Sequence, residues 1–239
     1  MAVKVSFADL THMGQVVAAN TFPLGIGYVA AYANQELGEE IDFEIFKYPE
    51  DFSDYLETCA PQIAGFSSYS WAIQLNYEYA RIIKETSPNT VTVFGGPNFP
   101  STQEEQAEFL TNHPAIDCYL EFEGERAFVG LFNALKRYNF DWEEFKNART
   151  LVPNVRYLVG GEFVTGNLEP KTKQLDDFPS PYLNGRLDKF FDDILIPMVQ
   201  TTRGCPYTCT FCWEGGDYFQ KTIRFSPERI TNELRYMAE

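Results

Sequence analysis

Ile63-Ala64-Gly65-Phe66-Ser67-Ser68-Tyr69-Ser70-Trp71, continued after one helix by Thr90-Val91-Thr92-Val93-Phe94-Gly95-Gly96-Pro97, is the passage that decides the fold. Ile63 to Ser67 is a short apolar run closed by polar residues, the pattern of a buried strand. Thr90 to Phe94 is a β-branched strand that stops at two glycines and a proline. Between them, Trp71 to Thr86 has helical spacing, with Ile73, Tyr77, Ala80 and Ile83 or Lys84 on linked faces. The passage therefore reads as a β-α-β unit.

The same alternation extends both ways. Val3 to Ala8 reads as a first strand, Pro23 to Leu37 as a helix with Gly38 just past its end, and Ile41 to Tyr48 as a strand. Asp51 to Cys59 reads as a short helix and Gln103 to Asn112 as a polar one. Asp117 to Phe122 is a fifth strand and Glu125 to Tyr138 a fifth helix. Five strands alternating with helices predict a doubly wound parallel sheet of flavodoxin-like order 2-1-3-4-5, with ligands at the C-terminal strand ends. This gives a front domain over 1–138. A linker over 139–193 follows, with a hairpin at Asn154 to Thr165 around Gly160-Gly161 and an extended, proline-containing stretch from Leu175 to Gly185. From Ile194 the order becomes strand, cysteine loop, and a helix from Pro227 to Ala238 capped by Ser226. No internal repeat occurs.

The chain has 239 residues, a hydrophobic fraction of 44% and a net charge of −15. The acidic balance argues against nucleic acid and anionic membrane as partners, and no segment is apolar enough to span a bilayer. Met1 to Phe7 runs straight into a strand, so no secretory leader is expected and the location reads as cytoplasmic. Five cysteines in such a chain suit metal or redox chemistry better than a disulfide framework. Cys59 and Cys118 sit in apolar stretches and read as packed thiols.

The other three cysteines cluster, in Arg203-Gly204-Cys205-Pro206-Tyr207-Thr208-Cys209-Thr210-Phe211-Cys212. Three thiolates on one loop can hold three corners of a cubane and leave the fourth iron open to a small molecule. A structural zinc site would want a fourth ligand, and His12 and His113 are distant in sequence. An electron-transfer cluster would want a fourth cysteine.

Cys205, Cys209 and Cys212, with Phe211 before the last, resemble the defining motif of the radical SAM superfamily, and Arg203-Gly204 and Pro206 match a common form of it. The resemblance implies a [4Fe–4S] cluster whose open iron binds S-adenosylmethionine, with reductive cleavage of the sulfonium by an external electron donor. A small molecule or peptide would be the substrate. Gly160-Gly161-Glu162 is similar to that family's SAM-binding Gly-Gly-Glu, but it precedes the cysteines and reads as a turn. The segment 194–239 amounts to the first β/α unit of a partial barrel, so the sequence is expected to be a truncated portion, inactive alone.

The front domain is similar to the cobalamin-binding domains found ahead of many radical SAM cores. The matching pieces are Pro23-Leu24-Gly25, Gly65 to Trp71, Gly95-Gly96-Pro97 and Glu123-Gly124-Glu125. The resemblance implies a cobalamin whose nucleotide tail, detached from cobalt, enters the sheet edge at Ser67, Ser68, Tyr69, Gly95 and Gly96. The Ser67, Ser68 and Ser70 hydroxyls would bond the tail, and Pro97, Glu123, Gly124 and Glu125 complete the site. Asp9-Leu10-Thr11-His12-Met13-Gly14 has the residue types of a D-x-H-x-x-G ligand motif at the wrong spacing, so His12 reads as a loop histidine. Phe122 stands where relatives often have glycine. Singly, these glycines and serines suit ordinary turns. The function implied is a cobalamin-dependent radical SAM enzyme, a methyltransferase or a ring-forming enzyme. A non-catalytic cobalamin- or cluster-binding fragment, and a radical SAM enzyme whose front domain no longer binds cobalamin, remain as alternatives.

Overall fold

The computed structural model describes residues 2–14 and 19–239. In chain order the main elements are β1 (Val3–Ala8), α1 (Leu24–Leu37), β2 (Ile41–Phe46), α2 (Pro49–Thr58), β3 (Ile63–Ser67), α3 (Ile73–Thr86), β4 (Val91–Gly95), α4 (Gln103–Asn112), β5 (Cys118–Leu120) and α5 (Gly124–Lys136). These are followed by α6 (Trp142–Asn147), β6 (Val155–Val159), β7 (Glu162–Thr165), β8 (Thr202–Arg203), β9 (Ile223–Arg224) and α7 (Pro227–Ala238).

The sheet order is β2-β1-β3-β4-β5-β6-β7. Its first five strands are parallel and have the expected doubly wound order. The hairpin β6–β7 does not stay in the linker; it adds two antiparallel strands to the β5 edge, making seven. Gly160 and Gly161, with φ of 57° and 85°, make the tight turn between them. An ion pair of 2.7 Å between Arg156 and Glu121, both almost fully buried, fixes the junction.

Strand alternation splits the core into two layers. Val5, Phe7, Ile63, Val91, Val93 and Leu120 face α1 and α5. Phe46, Phe66, Phe94 and Tyr119 face the other way, with Phe52, Ala80, Ile83 and Leu110 from α2, α3 and α4. Burying one such large apolar side chain contributes about 1.5–3 kcal/mol. The stretch expected to be an extended linker is packed instead: Phe178, Tyr182, Leu187 and Phe190 join the α1–α5 layer. Helix α7 docks on it, with Glu233 accepting from the Ser180 hydroxyl and from Arg229 Nε, both at 2.6 Å. Ser226 caps α7 by accepting from the Arg229 N–H, as its place before Pro227 implies.

The strand expected from Ile194 is confined to Thr202–Arg203 and pairs antiparallel with β9. Upstream, Ile196 makes only a local bridge to Thr21. Pro197 lacks the N–H that a ladder would need at the next step.

Candidate functional site

A cavity of about 570 Å³ opens at the C-terminal strand ends on the α1–α5 face. This is the size of a small-molecule site. Its floor is Phe7, Gly65, Val93, Gly95 and Leu120 from four adjacent strands, its side wall Leu24, Tyr28 and Phe128, and its far wall Arg203, Gly204, Tyr218 and Phe219. The front domain and the flanks of the cysteine loop therefore share one cavity.

Of the residues expected to bind cofactor, Ser67, Tyr69, Gly95, Gly96, Pro97, Glu123, Gly124 and Glu125 line it. Their polar groups are differently employed than expected. The Ser67 hydroxyl donates to Asp9, which also takes a 3.0 Å ion pair from the buried Lys47. Asn76 Nδ2 donates to the Ser67 carbonyl at 2.7 Å. The Ser68 hydroxyl is buried and points to the Asn98 carbonyl at 3.4 Å, and Ser70 is exposed outside the cavity. The Tyr69 hydroxyl lies beside Gly25, 3.3 Å from where a Cβ would sit, and its ring stacks on Trp71 with centroids 4.7 Å apart. Burial, then the Asp9 charge, pushes the Tyr69 pKa up to about 12.

The glycines divide by role. A side chain at Gly65 would come within 3.1 Å of the Phe7 ring, so glycine holds the floor open. Alternation places Gly95 on the same face as Val93, and a Cβ there meets Leu120 only at ordinary contact, 3.5 Å. Gly96 has φ 128°, and a Cβ there would lie 2.9 Å from the Ser68 carbonyl. Glycine at 96 thus serves the crossing of two backbones, whereas Gly95 clears the cavity.

Glu123 and Glu125 open α5. Glu125 Oε1 accepts from Arg203 Nη2, and both side chains are largely buried. Burial disfavours the Arg203 charge, but the carboxylates of Glu125 and Glu123 more than compensate, so its pKa is raised. Glu123 Oε2 accepts from the Thr172 N–H at 3.0 Å, while Oε1 is buried with no hydrogen-bond partner among the described residues. Burial raises the Glu123 pKa despite that bond, and the Glu125 carboxylate adds to the rise. Phe122 adopts φ 66°, the left-handed region that favours glycine.

Cys205 is half-buried, and Cys209 and Cys212 are exposed, as is Phe211 at 92%. None of the four lines the cavity. Among the described residues no three His, Cys, Asp or Glu side chains converge closely enough to hold a metal ion. The donor chemistry of the three thiols suits an iron–sulfur cluster; their separation means that binding would draw them together. His12 is exposed and away from the cavity. Sequence reading missed Lys171 and Tyr218, which lie in no motif, and treated Arg203 as motif context alone.

The B12 binding domain family matches residues 11–132, more than half of the chain, and the chain belongs to it. It is 29% identical over 228 residues to the cobalamin-dependent radical SAM methyltransferase TokK of Streptomyces tokunonensis, covering 90% of this chain and 32% of that protein. It is equally similar, at 29%, to the 2-(S-pantetheinyl)-carbapenam-3-carboxylate methyltransferase of Streptantibioticus cattleyicolor, covering 91% of this chain and 32% of that one. The chain spans about a third of the length of these relatives. Its fold matches that of the cobalamin-dependent S-adenosylmethionine radical enzyme OxsB, with aqua-cobalamin and S-adenosylmethionine bound, at a TM-score of 0.69 and 19% identity, over 98% of this chain and 31% of that one. The resemblance read from the sequence therefore holds: a B12-binding domain in a chain homologous to cobalamin-dependent radical SAM methyltransferases.

A cobalamin tail fits the cavity on observations of the site itself. The floor is cleared by Gly65 and Gly95, the volume suits a nucleotide-sized group, and the orphaned Glu123 Oε1 is an acceptor within reach of the cavity wall. Among the described residues no helix is long and apolar enough to cross a membrane.

Proposed function

We propose that the intact protein is a cobalamin-dependent radical SAM methyltransferase, acting on an unactivated carbon or phosphorus of a small molecule or peptide and served by an external electron donor. The single observation that supports this most is the shared cavity: a B12-binding sheet edge walled on its far side by the stem of a radical SAM-type cysteine loop. When bound, cobalamin supplies a transferable methyl group, and the [4Fe–4S] cluster with S-adenosylmethionine supplies hydrogen abstraction.

In this reading Gly65 and Gly95 admit the nucleotide tail and Tyr69 closes its side. The apolar floor of Phe7, Val93 and Leu120 excludes water. Cys205, Cys209 and Cys212 each give one thiolate to the cluster. The segments 1–138, 139–193 and 194–239 serve as cofactor domain, connector and start of the catalytic core.

Anaerobic reconstitution of the chain, followed by visible spectra and iron and sulfide analysis, tests the reading. One cobalamin and about four iron per chain are expected, with the iron lost in a Cys205→Ala/Cys209→Ala/Cys212→Ala variant. A folded chain that takes up the cluster but no cobalamin would favour a front domain that has lost its ligand. Uptake of both cofactors by an intact protein that cleaves no S-adenosylmethionine would favour a binding role.

A further inference from the structure

The cysteine loop is gripped at its two stems by the front domain and its connector, while its middle is exposed. On the entering stem, Arg203 is held by Glu125, by the Gln200 side chain at 2.9 Å, and between the rings of Tyr28 and Phe178 at 5.3 and 5.1 Å. On the leaving stem, Tyr218 stacks on Phe122 with centroids 3.9 Å apart and planes 16° from parallel. Lys171 joins the stems: its Nζ donates to the carbonyls of Arg203 at 3.2 Å and Lys221 at 2.7 Å. Gly204, with φ 97°, lies so close beneath that a Cβ would fall 2.3 Å from Lys171 Nζ and 2.6 Å from the Phe219 carbonyl. The Cys205 N–H closes the stem by donating to that same carbonyl at 2.8 Å.

The geometry points to Glu125 and Lys171 as positioning residues that fix the cysteine loop relative to the cobalamin cavity. This rests on the function proposed above and goes beyond it. Glu125 opens α5 directly over the cavity, so any displacement of the sheet edge is passed to Arg203, two residues before the first cysteine. Lys171 bonds both stems at once from the connector. Neither residue need touch substrate or cluster; each acts through the backbone that carries the thiols. A loop exposed in its middle but pinned at both ends can close on a cluster without changing its place over the cavity.

Hydrogen exchange on the full chain, with and without cofactors, tests this first. Glu125→Gln and Lys171→Met are each expected to speed exchange of the Cys205 amide by about tenfold or more, leaving β1, β3 and β4 unchanged. In the reconstituted protein, the same variants should keep wild-type iron content, since neither side chain is a cluster ligand, and spectra are compared per cobalamin bound. The relaxation of the cob(II)alamin EPR signal by the reduced cluster should weaken, because that coupling reads their separation. Should Glu125→Gln unfold, Lys171→Met carries the test alone, since that side chain is only part-buried. Wild-type exchange at Cys205 in the folded variants overturns the inference. Failure of the wild-type chain to bind cobalamin or cluster would instead overturn the functional reading, and the exchange measurement on the cofactor-free chain would still decide the positioning role.

Discussion

Phe122 stacks face to face on Tyr218 from a backbone conformation, φ 66°, that a side chain normally avoids. A left-handed L-residue is disfavoured by about 1–2 kcal/mol relative to glycine. An aromatic pair recovers about 0.5–1.5 kcal/mol beyond its burial. The ring and the strain therefore nearly offset each other, and the two effects can be separated by mutation.

Phe122→Ala keeps the strain and loses the stack; Phe122→Gly loses both. The glycine variant is expected to be more stable than the alanine variant by about 1 kcal/mol, the reverse of the usual order. Urea denaturation of the three proteins measures it. An alanine variant as stable as the glycine variant would show that the backbone at 122 relaxes.

Asp9 and Lys47 give a second, larger effect. Both side chains are at least nine-tenths buried at 3.0 Å, and Asp9 also receives the Ser67 hydroxyl. Removing one partner leaves a buried charge alone, which costs about 3–5 kcal/mol. Lys47→Met should therefore lower the urea midpoint sharply, and Asp9→Leu combined with Lys47→Met should lower it less than the sum of the single changes. Additive losses would contradict the pairing.

Glu123 gives a pH dependence with a defined sign. Its folded pKa is raised, first by burial. Between the unfolded value, about 4.3, and the raised folded one, the native state binds more protons than the unfolded state. Stability from this group therefore falls as pH rises through that window and is flat below it. Glu123→Gln removes the slope while its amide oxygen can still accept from Thr172. The difference in unfolding free energy between variant and wild type should grow in the variant's favour from pH 4 upward and then level off. A difference independent of pH would show that Glu123 titrates normally.

The five parallel strands were legible because each carries its own periodicity and because right-handed crossovers leave few orders to choose from. The two added strands were legible only as a hairpin. Gly160-Gly161 specifies the turn, but nothing local specifies that β6 will take the open edge of β5, a choice made by the buried Arg156–Glu121 pair across 35 positions. The site divides in the same way. Gly65, Gly95 and the Glu-Gly-Glu opening of α5 were found through the resemblance to cobalamin-binding domains, with their place at strand ends and a helix start in its support. The occupation of the Ser67 hydroxyl by Asp9 was not, because that bond joins residues 58 apart in sequence. Lys171 and Tyr218 belong to no motif; their importance comes from what the chain crossing at Gly204 brings beside them. The cysteine spacing names the donors, yet a flexible spacing does not by itself bring three thiols to one point.

The two glycines that end β4 should separate folding from cofactor binding. Gly95 faces the cavity, and its Cβ direction meets Leu120 only at ordinary contact, 3.5 Å. Leucine at 95 fits the backbone and fills space that a nucleotide tail would need. Gly95→Leu is therefore expected to keep a near wild-type urea midpoint and bind cobalamin at least about tenfold more weakly, a loss of roughly 1.4 kcal/mol. Gly96 sits at φ 128° with its would-be Cβ 2.9 Å from the Ser68 carbonyl, so Gly96→Ala is a folding defect. It should lose about 1–3 kcal/mol of stability. Whatever Gly96→Ala protein remains folded should bind cobalamin at near wild-type affinity, since that side chain points at backbone. His12→Ala serves as the control: the ring is exposed and outside the cavity, so neither quantity should change. Absorbance titration of cobalamin into the four proteins, beside their urea curves, reads both quantities. Full-strength binding in Gly95→Leu would mean that the tail does not enter beside β4 and that the cavity floor serves another ligand, whereas weak binding with unaltered stability in Gly96→Ala would mean that Gly96 itself faces the tail. A loss of binding confined to His12→Ala would place the cobalt against that histidine and move the site to the β1 end of the sheet.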